Sequence, residues 1–142
     1  MSAGAVVLVD TGPLVALFDP SDTDHEGCKR ALAQLRRSRR VTSLSVLTEA
    51  VYLLSFSPRA QRALLAFVAA GAVEIADFSA AQVSRAAALM ERFESLPMDF
   101  ADATLVVLAE YFQTTAVFTL DRRAFSVYRL GRRAFRLVGT SV

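Results

Sequence analysis

The sequence predicts a three-layer α/β/α sandwich with a mainly parallel central sheet, built as a single domain over residues 1–142. Three observations predict it. Short apolar runs, such as Ala5 to Val9 and Thr115 to Phe118, alternate with longer stretches of helical periodicity, the pattern of strands joined by crossover helices. Ala5 to Val9 is apolar at every position and Thr115 to Phe118 at every position after the threonine, as strands covered on both faces are. The chain has 142 residues and 54% hydrophobic content, enough for one core and above the usual range of about 45–50%. The surplus points to apolar surface left for a partner.

Each element has a local reason. Ala5 to Val9 reads as a central strand, closed by the turn residues Asp10-Thr11-Gly12-Pro13. Thr11 is placed to cap a helix whose first turn tolerates Pro13, with Leu14, Val15, Leu17 and Phe18 on its apolar side. Asp19-Pro20 ends it. The acidic loop from Asp22 to Glu26 leads into a second helix, roughly Glu26 to Arg37, with Leu32 and Leu35 inward. Val41 to Ser43 is a short strand, and Ser45 caps a helix through Ser55 that carries Glu49 on its first or second turn. Pro58 opens another helix, which Gly71 stops after Ala70. Val73 to Ala76 is a third strand, and Ser79 caps an amphipathic helix to about Phe93 that Pro97 breaks. A helix carrying Asp99 and Asp102 follows, three residues apart and therefore on one face. It leads into the strand Thr115 to Phe118, a short helical turn with Phe125, a basic loop and a last strand at Phe135 to Val138.

Composition bounds the function. The longest uncharged runs, such as Ala63 to Val73, fall short of the roughly 18 apolar residues of a membrane span, and no basic segment opens the chain as in a signal peptide. Cys28 is the one cysteine, so neither an internal disulfide nor a cysteine zinc site can form. A cytoplasmic protein is expected. Fifteen of sixteen basic residues are arginine, and six of them fall after Asp121, where there is no acid. Arg36, Arg37, Arg39 and Arg40 form a second cluster. Arginine grips phosphate through a planar fork, so the charge pattern suits a polyanionic partner as well as a solvated surface.

The acids carry the chemistry. Asp10 and Asp121 each follow a strand, where a parallel sheet opens a crevice. Glu49 and Asp102 lie in the first turns of helices, with Asp99 beside them. Singly, each could be a helix cap or a partner for a helix dipole. Together they would be costly. Carboxylates within about 4 Å repel by roughly 4 kcal/mol per pair at an effective dielectric of 20, against a total stability of about 5–15 kcal/mol. A divalent cation offsets that repulsion, and oxygen donors without Cys or His favour Mg²⁺ or Mn²⁺ over zinc. Such an ion activates water and steadies charge on a phosphoryl group. His25, the only histidine, reads as a surface or capping residue.

At four places the chain resembles the PIN domain family, in particular VapC toxins of bacterial toxin–antitoxin pairs. The matching pieces are Val7-Leu8-Val9-Asp10-Thr11, Leu47-Thr48-Glu49, Asp99-Phe100-Ala101-Asp102-Ala103 and Phe118-Thr119-Leu120-Asp121-Arg122-Arg123, in that order. The resemblance implies a metal-dependent endoribonuclease that leaves a 5′-phosphate and a 3′-hydroxyl. By position, Asp10, Glu49, Asp102 and Asp121 would be catalytic and hold Mg²⁺ or Mn²⁺, with Asp99 adjoining. Thr11 and Thr119 would orient ligands or water. The arginine clustering, apart from the resemblance, makes Arg122 and Arg123 candidates to touch RNA. The resemblance also implies a homodimer and a VapB-type antitoxin that blocks the site. Ala124 stands where members often carry an acid, which removes a peripheral ligand and leaves the four main acids.

Other chemistries fit less well. A phosphatase of the haloacid dehalogenase type wants a second aspartate two residues after the first, where this chain has Gly12. Neither glycine-rich nucleotide-binding motif is present. Ser/His/Asp catalysis would rest on His25 alone. A PIN-like module that binds RNA or protein without cutting is the non-enzymatic alternative.

Overall fold

The structure, a computed structural model, describes residues 4–139. Its centre is a five-stranded sheet made of β1 (Val6–Val9), β2 (Arg39–Thr42), β3 (Glu74–Ile75), β4 (Ala116–Phe118) and β7 (Arg136–Val138). The order across the sheet is β3-β2-β1-β4-β7 and every pairing is parallel. β1 pairs with both β2 and β4, Leu8 standing opposite Val41 on one side and Val117 on the other. Strands progress outward in both directions from β1, so the order reverses between β1 and β4. That reversal is where a parallel α/β sheet opens a ligand crevice.

Helices cover the sheet. α1 (Thr11–Phe18) packs against α2 (His25–Gln34), α3 (Leu44–Leu53) and α4 (Pro58–Ala69). α6 (Phe100–Phe112) packs against α5 (Ala80–Arg92) and β1, and α3 touches both groups. α6 is buried at every position from Ala103 to Ala109, as its lack of a polar face requires. Val7, Leu8, Val117, Phe118, Leu105 and Leu108 are all fully buried at the centre. No helix of the described residues is long and apolar enough to cross a membrane.

Several boundaries differ from the sequence reading, each for a local reason. Asp10, not Thr11, caps α1, because its carboxylate accepts the Thr11 N–H. Ser43, not Ser45, caps α3, accepting from the Val46 N–H. β2 begins two residues before Val41, at Arg39, whose guanidinium reaches Glu74 on the adjacent strand. Asp99 is the N-cap of α6 rather than a helical residue, with its carboxylate on the Asp102 N–H. The basic stretch after α7 (Arg122–Phe125) holds a small antiparallel hairpin, β5 (Arg129–Leu130) with β6 (Arg133–Ala134), turning at Gly131. Ser79 caps α5 as expected, in a capping box with Gln82.

Candidate active site

The acids gather where the sheet order reverses. Asp10 follows β1 directly and is only 6% exposed. Its Oδ1 accepts the Thr11 N–H at 2.8 Å, and its Oδ2 accepts the Thr119 hydroxyl at 2.7 Å. The same hydroxyl oxygen accepts the Asp121 N–H at 2.9 Å. Thr119 therefore ties the end of β1 to the end of β4. Asp121 then caps α7, its Oδ1 accepting the Ala124 N–H at 3.1 Å. Gly12 lies just below in close quarters: a Cβ there would lie 3.3 Å from the Leu120 Cβ, so a side chain would have to displace it slightly. The second aspartate of a haloacid dehalogenase-type phosphatase is absent at this position.

The other two main acids come from the helices that follow β2 and precede β4. Ser43 Oγ and Thr104 Oγ1 are hydrogen-bonded at 2.7 Å, pinning the cap of α3 to the first turns of α6. That contact sets Glu49, on α3, beside the start of α6. Glu49 and Asp99 line one side of a cavity of about 570 Å³, together with Tyr52 and Phe100. Asp102, in the first turn of α6, accepts the Tyr128 hydroxyl on Oδ2 at 2.8 Å.

Electrostatics places all five acids in one neighbourhood. Burial raises the Asp10 carboxyl from 3.8 to about 6, against the lowering effect of its two hydrogen bonds, and Asp121 and Glu49 push it further. Burial likewise raises Asp102 to about 7, opposed by Tyr128 and reinforced by Asp99, Asp10 and Asp121. The Tyr128 hydroxyl is itself held well above the ordinary phenol range, by burial first and by its bond to Asp102 second.

The acids do not close into a cage. Among the described residues no group of three or more His, Cys, Asp or Glu is arranged to hold a metal ion. The reason lies in what each carboxylate already holds. Asp99 and Asp121 are turned onto backbone N–H groups at helix starts, and Asp102 is held by Tyr128. The chemistry of the donors still fits a hard divalent cation: all are carboxylate oxygens, and the two most buried resist ionisation as they stand. The buried Thr11 hydroxyl has no hydrogen-bond partner among the described residues. That orphaned oxygen stands next to Asp10, where a bound water or ligand would satisfy it.

The arginines divide. Arg123 is exposed at the start of α7, next to Arg122, with the site acid Asp121 preceding both. Arg39 and Arg40 of the other cluster have structural work. Arg39 pairs with Glu74 and lies 5.4 Å from the centre of the Phe112 ring, while Arg40 donates to the carbonyls of Leu35, Ser38 and Ala72. Arg129 likewise caps the carbonyls of Ser126, Val127 and Tyr128. His25 lies away from the acids, its Nδ1 within 2.7 Å of the Ala16 carbonyl. Tyr128 is the site residue that sequence reasoning missed. It stands in a basic loop with no pattern around it, and only the spacing of Phe125, Tyr128 and Phe135 hinted at an aromatic cluster.

Comparison with known proteins shows the chain's family and fold. The family model described as PIN domain matches residues 7–130. The chain is 34% identical over 125 residues to Ribonuclease VapC26 of Mycobacterium tuberculosis, covering 87% of this chain and 92% of that protein. Its fold is similar to that of Mycobacterium tuberculosis VapC20, described as a Sarcin-Ricin loop cleaving toxin, at a TM-score of 0.77 and 23% identity, covering 87% of this chain and 97% of the other. It is also similar to a chain of Rickettsia felis VapBC2, solved bound to a DNA fragment from its promoter, at a TM-score of 0.65 and 17% identity, covering 94% and 98%.

Proposed function

The chain belongs to the PIN domain family, and from that premise we propose that it is the ribonuclease toxin of a VapBC-type toxin–antitoxin pair, hydrolysing RNA phosphodiester bonds. Asp10, Glu49, Asp102 and Asp121 are the residues that would hold Mg²⁺ or Mn²⁺, with Asp99 adjoining. The observation that carries the reading is the meeting of acids at the sheet crevice without a cationic side chain against the buried Asp10 or the half-buried Asp102, whose carboxyls are pushed up to about 6 and about 7. When bound, the cation would supply an acidified water and offset charge on the phosphoryl oxygens.

The chain's own residues do the rest. Thr11 N–H and the Thr119 hydroxyl fix both oxygens of Asp10 in place, so that ligand does not have to be ordered on binding. The Asp121 N–H on Thr119 sets the second strand-end acid relative to the first. The Thr11 hydroxyl is free to orient a water beside Asp10. Arg123 and Arg122 would hold the RNA backbone next to Asp121, since phosphate contacts position a strand without reading its sequence.

Two partners follow. A VapB-type antitoxin and a second copy of the chain would cover apolar side chains that this fold leaves in water, among them Leu44, Tyr52, Leu53 and Phe56, with Tyr52 72% exposed. An RNA cleavage assay with and without chelator, on the wild type and Asp102→Asn, tests the enzymatic reading. Cleavage that needs the metal and Asp102 is expected. Equal cleavage by the folded Asp102→Asn variant removes the assignment, and RNA binding with no cleavage under any condition favours the non-catalytic module.

A further inference from the structure

Tyr128 is built into the fold more firmly than a loop residue needs to be. Its side chain is fully buried. The ring stands edge-on to Phe93 at 5.3 Å and to Phe125 at 5.1 Å, and Phe125 in turn packs edge-on to Phe135 at 5.8 Å. Its backbone is fixed on both sides, the N–H donating to the Ala124 carbonyl and the carbonyl accepting from Arg129 Nη1. The packing leaves the hydroxyl one role, the 2.8 Å bond to Asp102 Oδ2. Asp102 Oδ1 makes no hydrogen bond among the described residues.

We propose that Tyr128 is a positioning residue for the metal ligand Asp102: the hydroxyl holds Oδ2, fixing the carboxylate plane and leaving Oδ1 for the cation. The inference rests on the metal-dependent reading of the site. Asp102 sits on α6 while Tyr128 lies between α7 and β5, so the bond also sets the basic C-terminal segment against the helix that carries the acid. A partner that orients a ligating carboxylate characteristically changes metal affinity by about 10–100-fold when removed. A purely structural tyrosine changes stability and leaves affinity alone.

The experiment is a Mn²⁺ titration followed by electron paramagnetic resonance, with melting measured in chelator, on the wild type, Tyr128→Phe and Phe135→Leu. Tyr128→Phe keeps the ring and removes only the oxygen. Roughly tenfold weaker Mn²⁺ binding with a nearly unchanged metal-free melting point is expected, whereas affinity within twofold of wild type overturns the proposal. Phe135→Leu loosens the same aromatic cluster without touching the hydroxyl. Should Tyr128→Phe also melt early, metal affinity lost to the same degree in both variants overturns the positioning role, and a loss confined to Tyr128→Phe supports it. A wild type that binds no Mn²⁺ overturns the metal-dependent reading and this inference together. A wild type that binds Mn²⁺ alongside an equally competent Tyr128→Phe overturns this inference alone.

Discussion

Carboxylates in two regions of this molecule meet opposite fates. On the outer side of the sheet, Glu74 is met by Arg39 in a two-pronged pair, and between α5 and α6 Glu110 is met by Arg85 in the same way. The hydrogen bonds from Arg39 draw the Glu74 carboxyl below its usual range. At the crevice, Asp10 and Asp102 are answered among the described residues only by N–H and O–H groups and by other acids, and both are driven upward. Arginine meets Glu74 and Glu110, while no arginine pair is made by Asp10 or Asp102 among the described residues. Carboxyls perturbed in this way within a crevice mark a candidate functional site.

The sharpest way to break the comparison is to neutralise a crevice acid. Asp10→Asn keeps a side chain able to cap α1 and should lower RNA cleavage by roughly 10³-fold, the equivalent of several kcal/mol of lost electrostatic stabilisation. Cleavage kinetics on the folded variant check it.

Next in size is the pH dependence of the metal-free protein. Asp10 and Asp102 have folded-state carboxyls at about 6 and about 7, above the unfolded value of 3.8, so the folded form binds more protons between those values. Their contribution is therefore fully present below about pH 4 and is lost as pH rises through about 7, by a few kcal/mol in all. Melting in chelator from pH 5 to pH 8 should show the decline, and Asp102→Asn should flatten it. The exposed pair at Glu74 would give the opposite slope, with stability lost as pH falls through its lowered value.

Restoring the charge balance should have the next effect. Mn²⁺ at about 100 times its dissociation constant adds about 2.7 kcal/mol, or roughly 8–10 °C in melting temperature for a chain of this size. Thermal melts at pH 8 measure it, and a curve indifferent to Mn²⁺ erases the contrast between the two regions. Replacing Arg122 and Arg123 together by alanine should weaken RNA binding and reduce its salt slope by about 1–1.5. Glu110→Gln, on the paired side, should cost no more than about 1 kcal/mol and leave cleavage untouched.

Sequence pattern revealed some of this molecule and hid the rest for identifiable reasons. β1 and β4 were legible because strands covered on both faces must be apolar throughout, and a turn must follow each, which located Asp10 and Asp121. The helix starts were harder. Thr11 and Ser45 are good caps in isolation, but the neighbouring Asp10 and Ser43 already hold the relevant N–H groups. Asp99 and Asp102 share a helical spacing that a cap and a first-turn residue also satisfy. The β5–β6 hairpin was not legible, since two-residue strands rich in arginine carry no alternation. Nor was Tyr128, whose significance arises from a contact made 26 residues away.

The Thr119 hydroxyl gives its proton to Asp10 and receives one from the backbone of Asp121. Through one oxygen atom, two acids 111 positions apart in the chain are set by a single side chain. Serine could stand in for it. Valine, of nearly the same shape, would pack where threonine packs and yet release the Asp10 carboxylate and the Asp121 N–H at once, loosening both strand ends of the crevice from behind.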